Sequence, residues 1–191
     1  MSGRLTFDAI VVGGGPAGIS AAITMVRAGL DVILIERGRV PGSKNFFGGI
    51  LYTHALGEVL PDYQARGPAF QRPVTDQGYW LMSPDSVLRL TQKSERYKKD
   101  PAEAYTALRA TFDPWFAQQA VDLGVLIVTK TTVSGFLKDG KKQRVIGVTT
   151  DRPDGDVYAP VVIIAEGVNN LLTQQLGWPA MTCRLVSWPC R

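Results

Sequence analysis

Cysteine and histidine are scarce in this 191-residue chain, and their scarcity excludes several kinds of site. The two cysteines, Cys183 and Cys190, are too few for a disulfide framework, a structural zinc site or an iron–sulfur cluster, so we expect no metal. A Ser-His-Asp catalytic system would depend on His54, the single histidine, and nothing around that residue resembles one. The residues therefore identify no catalytic acid or base.

Long apolar runs and strongly charged tracts are also absent. The apolar run at residues 9–12 is far too short for a secretion signal or a membrane span, so we expect a cytoplasmic protein. The net charge of +4 is mild, and no basic tract is interleaved with aromatic residues, so we expect no nucleic-acid partner. A chain of this length, with 45% hydrophobic residues, can bury one core and a small additional lobe.

The first thirty-five residues have the pattern of a strand, a helix and a second strand. Residues 7–12 and 32–35 are short apolar runs typical of buried parallel strands. Between them, residues 16–28 show helical spacing of apolar side chains, and Gly29 ends the helix. A strand, helix and strand in so few residues require a right-handed crossover and a parallel sheet.

The rest of the chain alternates in the same way up to about Gly177. A glycine-rich stretch at 41–52 leads into a short helix before Pro61, and a second long helix is expected at 109–123. The fold class predicted is α/β, a domain over residues 1–177 with a parallel sheet and part of a small antiparallel lobe inserted at about 65–107. The later strands are expected at 74–90, 104–108, 125–128, 131–137, 144–150 and 158–165.

The turn between the first strand and helix carries the clearest chemical signal, Gly-Gly-Gly-Pro-Ala-Gly. Gly13 permits the tight turn, Gly15 lets backbone N–H groups approach a pyrophosphate, and Gly18 lets the helix pack closely on the strand. Pro16 and Ala17 begin the helix, whose positive end attracts the anion. The spacing predicts a dinucleotide-binding site, so the predicted fold is a Rossmann-like FAD/NAD(P)-binding domain, and the antiparallel lobe is predicted to be part of a substrate lobe.

Glu36 ends the second strand, eighteen residues after Gly18, where it can accept hydrogen bonds from a ribose. Its carboxylate favours a ribose with free hydroxyl groups over a 2′-phosphate, although Arg37 beside it weakens that inference. The chain leaves the sheet after this strand for a glycine-rich excursion and a small-sheet insertion. That arrangement is typical of FAD-dependent oxidoreductases, so we expect FAD rather than NAD.

Several longer stretches resemble those of one known protein family. They read FDAIVVGGGPAG, VILIERG, PGSKNFFGGILYTHALG, LRATFDPWF and VIIAEGVNNLLTQQLG. Over residues 7–177 the chain resembles the N-terminal half of the FixC-type flavoproteins, which belong with the electron transfer flavoprotein–quinone oxidoreductases and, more distantly, the geranylgeranyl reductases. The combination of K-N-x-x-G-G-x-L-Y with L-R-x-x-F-D-x-W is a much more specific family signature than the glycine turn.

The resemblance implies roles for residues beyond the turn. In such proteins the K-N-x-x-G-G loop runs along the flavin, which implies Lys44, Asn45, Gly48 and Gly49 at the isoalloxazine ring. Arg109, at the start of the second long helix, would reach the phosphate or ribityl part of FAD through a charge-assisted contact.

Two further contacts are implied later in the chain. Val133 would meet the adenine through its backbone, and Glu166-Gly167 stands where such proteins have Asp-Gly, with a longer side chain that moves the carboxylate outward. The expected FAD contacts are Gly13, Gly15, Pro16, Ala17, Gly18, Glu36, Arg37, Lys44, Asn45, Gly48, Gly49, Arg109, Val133, Glu166 and Gly167.

The resemblance also implies a function. It indicates an FAD-dependent dehydrogenase that takes electrons from an electron transfer flavoprotein and passes them, through a ferredoxin-like partner, toward quinone or another acceptor. Quinone as acceptor would bring a peripheral contact with the inner face of the membrane. Two alternatives stay open: a geranylgeranyl-reductase-like or monooxygenase-like flavoprotein acting on a lipid or aromatic substrate, and an inactive truncated fragment.

Residues 178–191 differ from everything before them. Both cysteines and two of the four tryptophans fall there, without helical or strand periodicity. One explanation is a partly buried C-terminal segment, and another is truncation or a changed reading frame. Because the proteins that this chain resembles are about twice as long, the second explanation leads to the hypothesis that this chain binds FAD weakly or not at all.

Overall fold

The computed structural model describes residues 4–43, 47–93, 95–99, 101–140, 144–169 and 171–177. The predicted FAD contacts Lys44 and Asn45, and the tail at 178–191, lie outside these ranges. The strands and α-helices of the described residues are β1 (Leu5–Thr6), β2 (Ala9–Val12), α1 (Pro16–Arg27), β3 (Val32–Ile35), β4 (Gly48–Tyr52), α2 (Thr53–Val59), β5 (Arg72–Pro73), β6 (Gln77–Met82), β7 (Val87–Gln92), β8 (Ala104–Leu108), α3 (Arg109–Asp122), β9 (Leu126–Val128), β10 (Val133–Lys138), β11 (Val145–Thr150), β12 (Val157–Tyr158), β13 (Val161–Ile164) and α4 (Leu171–Gln175). Short 3-10 helices occupy Tyr63–Arg66, Glu95–Lys98 and Gly167–Asn169.

Four parallel strands form the centre of the fold, in the order β13-β2-β3-β9. Val11 of β2 lies beside Leu34 of β3 and Ile163 of β13. Helix α1 connects β2 to β3, and α3 leads into β9, as parallel strands require crossover connections. This architecture, with several antiparallel strands around it, confirms the predicted α/β fold class.

Both faces of the parallel sheet are buried, because successive side chains of a strand point to opposite faces. Val11 and Leu34 pack with Phe116 of α3 and with the apolar face of α1. Ile10 and Ile33 pack on the other face against a second sheet, whose order is β1-β12-β11-β10. Burial on both sides explains why β2 and β3 are apolar at every position.

One of the predicted strands divides between the two sheets. The strand expected at 7–12 is β2 (Ala9–Val12) of the parallel sheet, with β1 (Leu5–Thr6) of the second sheet directly before it, whereas the strand expected at 158–165 is β12 followed by β13. Pro160 stands between β12 and β13, where it has no N–H to donate to a ladder. The prediction of a single strand at 158–165 was wrong, because an apolar run indicates burial but not which sheet buries it.

The antiparallel lobe lies between β3 and α3 in the chain. Three strands pair in the order β4-β8-β5, and β6 and β7 form a separate hairpin with exposed apolar side chains such as Trp80 and Met82. The lobe begins at Gly48, ahead of the position near 65 expected from the sequence, because the glycine-rich stretch continues as strand β4 rather than as a loop.

Candidate dinucleotide-binding site

The carboxyl ends of β2, β3 and β13 meet at one edge of the parallel sheet, which is where open α/β sheets bind ligands. A cleft of about 750 Å³ opens at this edge. Eight of the residues predicted from the sequence line it, namely Gly13, Gly15, Glu36, Arg37, Arg109, Val133, Glu166 and Gly167.

Two glycines close the turn between β2 and α1. Gly13 has φ +109°, in the region that favours glycine, and a Cβ atom there would overlap the carbonyl oxygen of Ala165. A Cβ atom on Gly18 would overlap the carbonyl oxygen of Gly13. Gly18 is buried, so it sets the packing of α1 against the turn rather than the lining of the cleft.

Gly15, in contrast, is open toward the cleft. It is the N-cap residue of α1, and a Cβ atom there would meet only Nη2 of Arg109, at 3.7 Å. Pro16 and Ala17 follow as the first helical residues and do not line the cleft. Because the first N–H groups of a helix lack intrahelical partners, this open turn presents donors and the positive end of a helix to an anion.

The Glu36 carboxylate is fixed at the end of β3 by two backbone groups. Its Oε2 accepts a hydrogen bond from the N–H of Gly14 at 2.7 Å, and its Oε1 accepts one from the N–H of Gly38 at 2.6 Å. A carboxylate has about four acceptor positions, so both oxygens can still accept bonds from a ribose. Arg37, beside it, is exposed at the same wall of the cleft.

Arg109 begins α3 and turns its side chain onto the helix surface. Its Nε lies 2.9 Å from Oδ1 of Asp113, and its Nη2 lies 2.6 Å from Oδ2. The Arg109 side chain is 31% exposed, whereas the Asp113 side chain is fully buried. Sequence reasoning missed Asp113, although the four-residue spacing from Arg109 on a helix is a signal that could have found it.

Val133 is buried at the start of β10 and lines the cleft. The N–H of Thr131, two residues earlier, donates to the carbonyl oxygen of Glu36 at 3.1 Å and ties this segment to the end of β3. Arg152 in turn donates from Nε to Oγ1 of Thr131 at 2.6 Å. Thr131 also lines the cleft, and no sequence motif singled it out.

The Glu166 carboxylate caps helix α4. It accepts hydrogen bonds from the N–H groups of Leu172 and Thr173 and from the Thr173 hydroxyl, at 2.8 to 3.1 Å. Partial burial raises the pKa of the Glu166 carboxyl group, but these hydrogen bonds outweigh burial and leave the pKa below its ordinary value. Gly167, which follows, is exposed with φ +77° and lines the cleft.

Gly48 and Gly49 do not line this cleft. They lie in β4, paired with Leu108 and Ala107 of β8, directly before the start of α3. The expectation that they face the isoalloxazine ring therefore stays a prediction, as does the expectation for Lys44 and Asn45.

A second hollow, of about 480 Å³, lies beside the antiparallel lobe and is lined by Tyr52, Thr53, His54, Gly57, Tyr63 and Glu103. It has no glycine turn and no exposed start of a long helix, so we assign dinucleotide binding to the larger cleft.

Within the described ranges, no group of three or more His, Cys, Asp or Glu residues could hold a metal ion. Among the helices of the described residues, none combines the length and the hydropathy needed to cross a bilayer.

A parallel sheet, a glycine turn before α1 and a carboxylate at the end of the next strand define a dinucleotide-binding domain of the oxidoreductase type. The chain belongs to the FAD dependent oxidoreductase family, whose model matches residues 8–173. This membership confirms FAD as the cofactor class expected from the sequence.

Individual relatives show which members of this family the chain resembles. The chain is 41% identical over 171 residues to "Protein FixC" of Bradyrhizobium diazoefficiens, and 40% identical over 171 residues to the "Probable electron transfer flavoprotein-quinone oxidoreductase YdiS" of Escherichia coli. Each alignment covers 90% of this chain and 39% of the relative, so the chain spans about two fifths of the length of the curated relatives it matches. The resemblance to the N-terminal portion of FixC-type flavoproteins is thereby confirmed.

A solved structure supports the same fold. The crystal structure of a geranylgeranyl bacteriochlorophyll reductase-like protein from Thermoplasma acidophilum superposes with a TM-score of 0.74 and 27% identity. The match covers 92% of this chain and 43% of that protein.

Proposed function

We propose that this chain forms the FAD-binding portion of a FixC-like dehydrogenase linked to an electron transfer flavoprotein. The observation that carries the proposal is the convergence of Gly15, Glu36 and Arg109 on one cleft, from three different elements. These are the backbone donor, the ribose acceptor and the cation that the pyrophosphate and ribose of a dinucleotide require.

The cleft fits the cofactor at its phosphate end. A Cβ atom on Gly15 would meet a single side chain, that of Arg109 at 3.7 Å, so the turn is open and the guanidinium lies beside it. The α1 N-terminus and Arg109 would hold the pyrophosphate, Glu36 would orient the ribose hydroxyls, and the backbone near Val133 would contact the adenine. Bound FAD supplies two-electron acceptance at its ring and single-electron delivery, and the residues here bind and orient it.

The names of the relatives support the choice of partners. One of them is called an electron transfer flavoprotein-quinone oxidoreductase, and we extend that role to the protein to which this chain corresponds. In this proposal a ferredoxin-like partner or quinone receives the electrons, and the protein is cytoplasmic, with a peripheral membrane contact where quinone is the acceptor.

Titration of the purified chain with FAD, followed by flavin fluorescence, tests the proposal. We expect saturable binding of one FAD per chain and competition by ADP. Failure of the folded chain to bind FAD or ADP would contradict the proposal for this chain and would favour an inactive fragment.

A second candidate function rests on the structural match to the geranylgeranyl reductase-like protein, with its TM-score of 0.74. In this candidate function a nicotinamide cofactor would supply the electrons. Rapid reduction of the FAD-loaded chain by NADPH would favour this candidate, whereas reduction only by a reduced electron transfer flavoprotein would favour the first.

A further inference from the structure

A buried carboxylate lies beneath the cation of the proposed phosphate site. The Asp113 side chain is fully buried, and the hydrogen bonds it accepts within the described residues come from Arg109. Burial of a carboxylate is costly unless the charge is paired, so this residue depends on the guanidinium above it. The pair fixes the Arg109 side chain in a bent conformation along α3.

The pairing uses one edge of the guanidinium and leaves the other free. Nε and Nη2 donate to the two oxygens of Asp113, while Nη1 has no hydrogen-bond partner among the described residues. Nη2 is also the atom nearest to the position of a Cβ atom on Gly15, at 3.7 Å. Nη2 carries a second N–H group, so Arg109 has a donor left beside the glycine turn, where a phosphate would be bound.

The loop after β3 fixes Asp113 from the other side. Gly42 has φ +79°, and a Cβ atom there would lie 2.5 Å from Cβ of Asp113 and 2.8 Å from its Oδ2. A side chain at position 42 would therefore overlap Asp113, and only a glycine lets the loop backbone pack closely against this side of the carboxylate. The carboxylate is thus held between a glycine and the guanidinium.

A cation at this place would not hold its position unaided. Arg109 lies at the N-terminus of α3 and close to the N-terminus of α1, and both helix ends repel positive charge. Without a fixed anion, the flexible side chain would turn toward solvent and would have to be ordered when the ligand binds.

We propose that Asp113 is a positioning residue, which holds the Arg109 guanidinium over the Gly15 turn so that it binds the pyrophosphate of the dinucleotide. The inference rests on the proposed function, because it assumes that the cleft binds FAD. In this proposal the phosphate affinity depends on the orientation of Arg109, which its two hydrogen bonds to Asp113 fix, and not on its charge alone.

Asp113→Asn tests the inference, because it changes the affinity for an anionic ligand in two opposite ways. Removal of a negative charge raises that affinity, whereas loss of the fixed Arg109 orientation lowers it. By Coulomb's law alone, the substitution strengthens binding of an anion. The proposal instead expects the dissociation constants of FAD and ADP to rise by roughly three- to tenfold, as the cost of ordering one long side chain. The dissociation constant of adenosine, which has no phosphate, should not change.

Two comparisons separate positioning from a structural role. In an Arg109→Gln background, Asp113→Asn should cause no further loss of ADP affinity, because Asp113 acts through Arg109. Asp62→Asn is the matched control, since Asp62 forms a four-residue-spaced salt bridge with Arg66 at 2.8 Å and does not line the cleft. This control should bind ADP like the wild type.

Arg109→Lys provides the second variant in case Asp113→Asn does not fold. It keeps the positive charge but cannot form the two-point pair, so we expect the same selective loss of ADP over adenosine. Wild-type-like or tighter ADP binding by Asp113→Asn, or equal losses for ADP and adenosine, would overturn the inference while the proposed function stands. A folded wild type that binds neither FAD nor ADP would overturn both.

Discussion

Gly15→Ala and Gly18→Ala add the same methyl group to the same turn, but we expect opposite effects on folding and on ligand binding. At Gly15 the backbone has φ −82°, which any residue adopts, and the added Cβ would lie 3.7 Å from its nearest neighbour. At Gly18 the added Cβ would overlap the carbonyl oxygen of Gly13. The first methyl group fits the folded protein, and the second does not.

The magnitudes follow from these contacts. Gly15→Ala weakens the N-cap position of α1 and should reduce the free energy of unfolding by less than about 1 kcal/mol. Its methyl group stands where a phosphate would approach, and loss of one charge-assisted hydrogen bond corresponds to roughly a ten- to hundredfold rise in the dissociation constant of FAD. Gly18→Ala forces α1 away from the turn, at a cost of about 1–3 kcal/mol or more.

Thermal melting without ligand and FAD titration by fluorescence measure the two effects separately. For a domain of this size, each kcal/mol lowers the melting temperature by about 2–4 °C, so Gly18→Ala should melt several degrees below Gly15→Ala. If Gly15→Ala binds FAD like the wild type, the phosphate is not at this turn. If it is destabilised as much as Gly18→Ala, the distinction between an open and a packed glycine is wrong.

Three further substitutions test other parts of the structure. Glu36→Gln replaces an oxygen that accepts a backbone N–H by an amide donor, so it should cost about 1–3 kcal/mol of stability and weaken FAD binding, measured by melting and titration. Glu166→Gln tests the cap of α4: because hydrogen bonds lower the pKa of Glu166 in the folded state, its ionised form stabilises the protein above the ordinary pKa of 4.5. The difference in melting temperature between wild type and Glu166→Gln should therefore be full at pH 7 and disappear as the pH falls through the folded-state pKa; a difference that persists at lower pH would contradict this. Phe116→Ala, at a side chain that is 2% exposed between α3 and the parallel sheet, should cost about 3–5 kcal/mol in urea unfolding, and a cost below 1 kcal/mol would contradict the packing described.

Local sequence patterns correctly predicted the strands and helices whose apolar and turn residues all lie within one short segment. The strand at Val32–Ile35 and the strand at Ala104–Leu108 have the predicted bounds, and α1 ends within one residue of its prediction. The hairpin of β10 and β11 is also present close to its expected position. In each case burial and turn residues act on the same short stretch, so the sequence pattern and the structure coincide.

Partners that are distant in the chain could not be predicted in this way. The structure pairs Gly48–Tyr52 with Ala104–Leu108, although the first segment is glycine-rich and has the composition of a loop. Cross-strand pairing supplied the hydrogen bonds that the local sequence does not specify. For the same reason, the division of residues 158–165 between two sheets was not visible in their apolar run.

The sequence by itself determined the dinucleotide-binding unit, because the glycine turn and the carboxylate of Glu36 lie at fixed spacings along the chain and the β-α-β crossover has a single favoured hand. The tertiary structure decided how the site is completed. It brought Arg109 and its buried partner Asp113 to the turn at Gly15 and used Glu166 to cap a helix. These contacts depend on side-chain direction and on backbone approach between distant segments, which spacing along the chain does not encode.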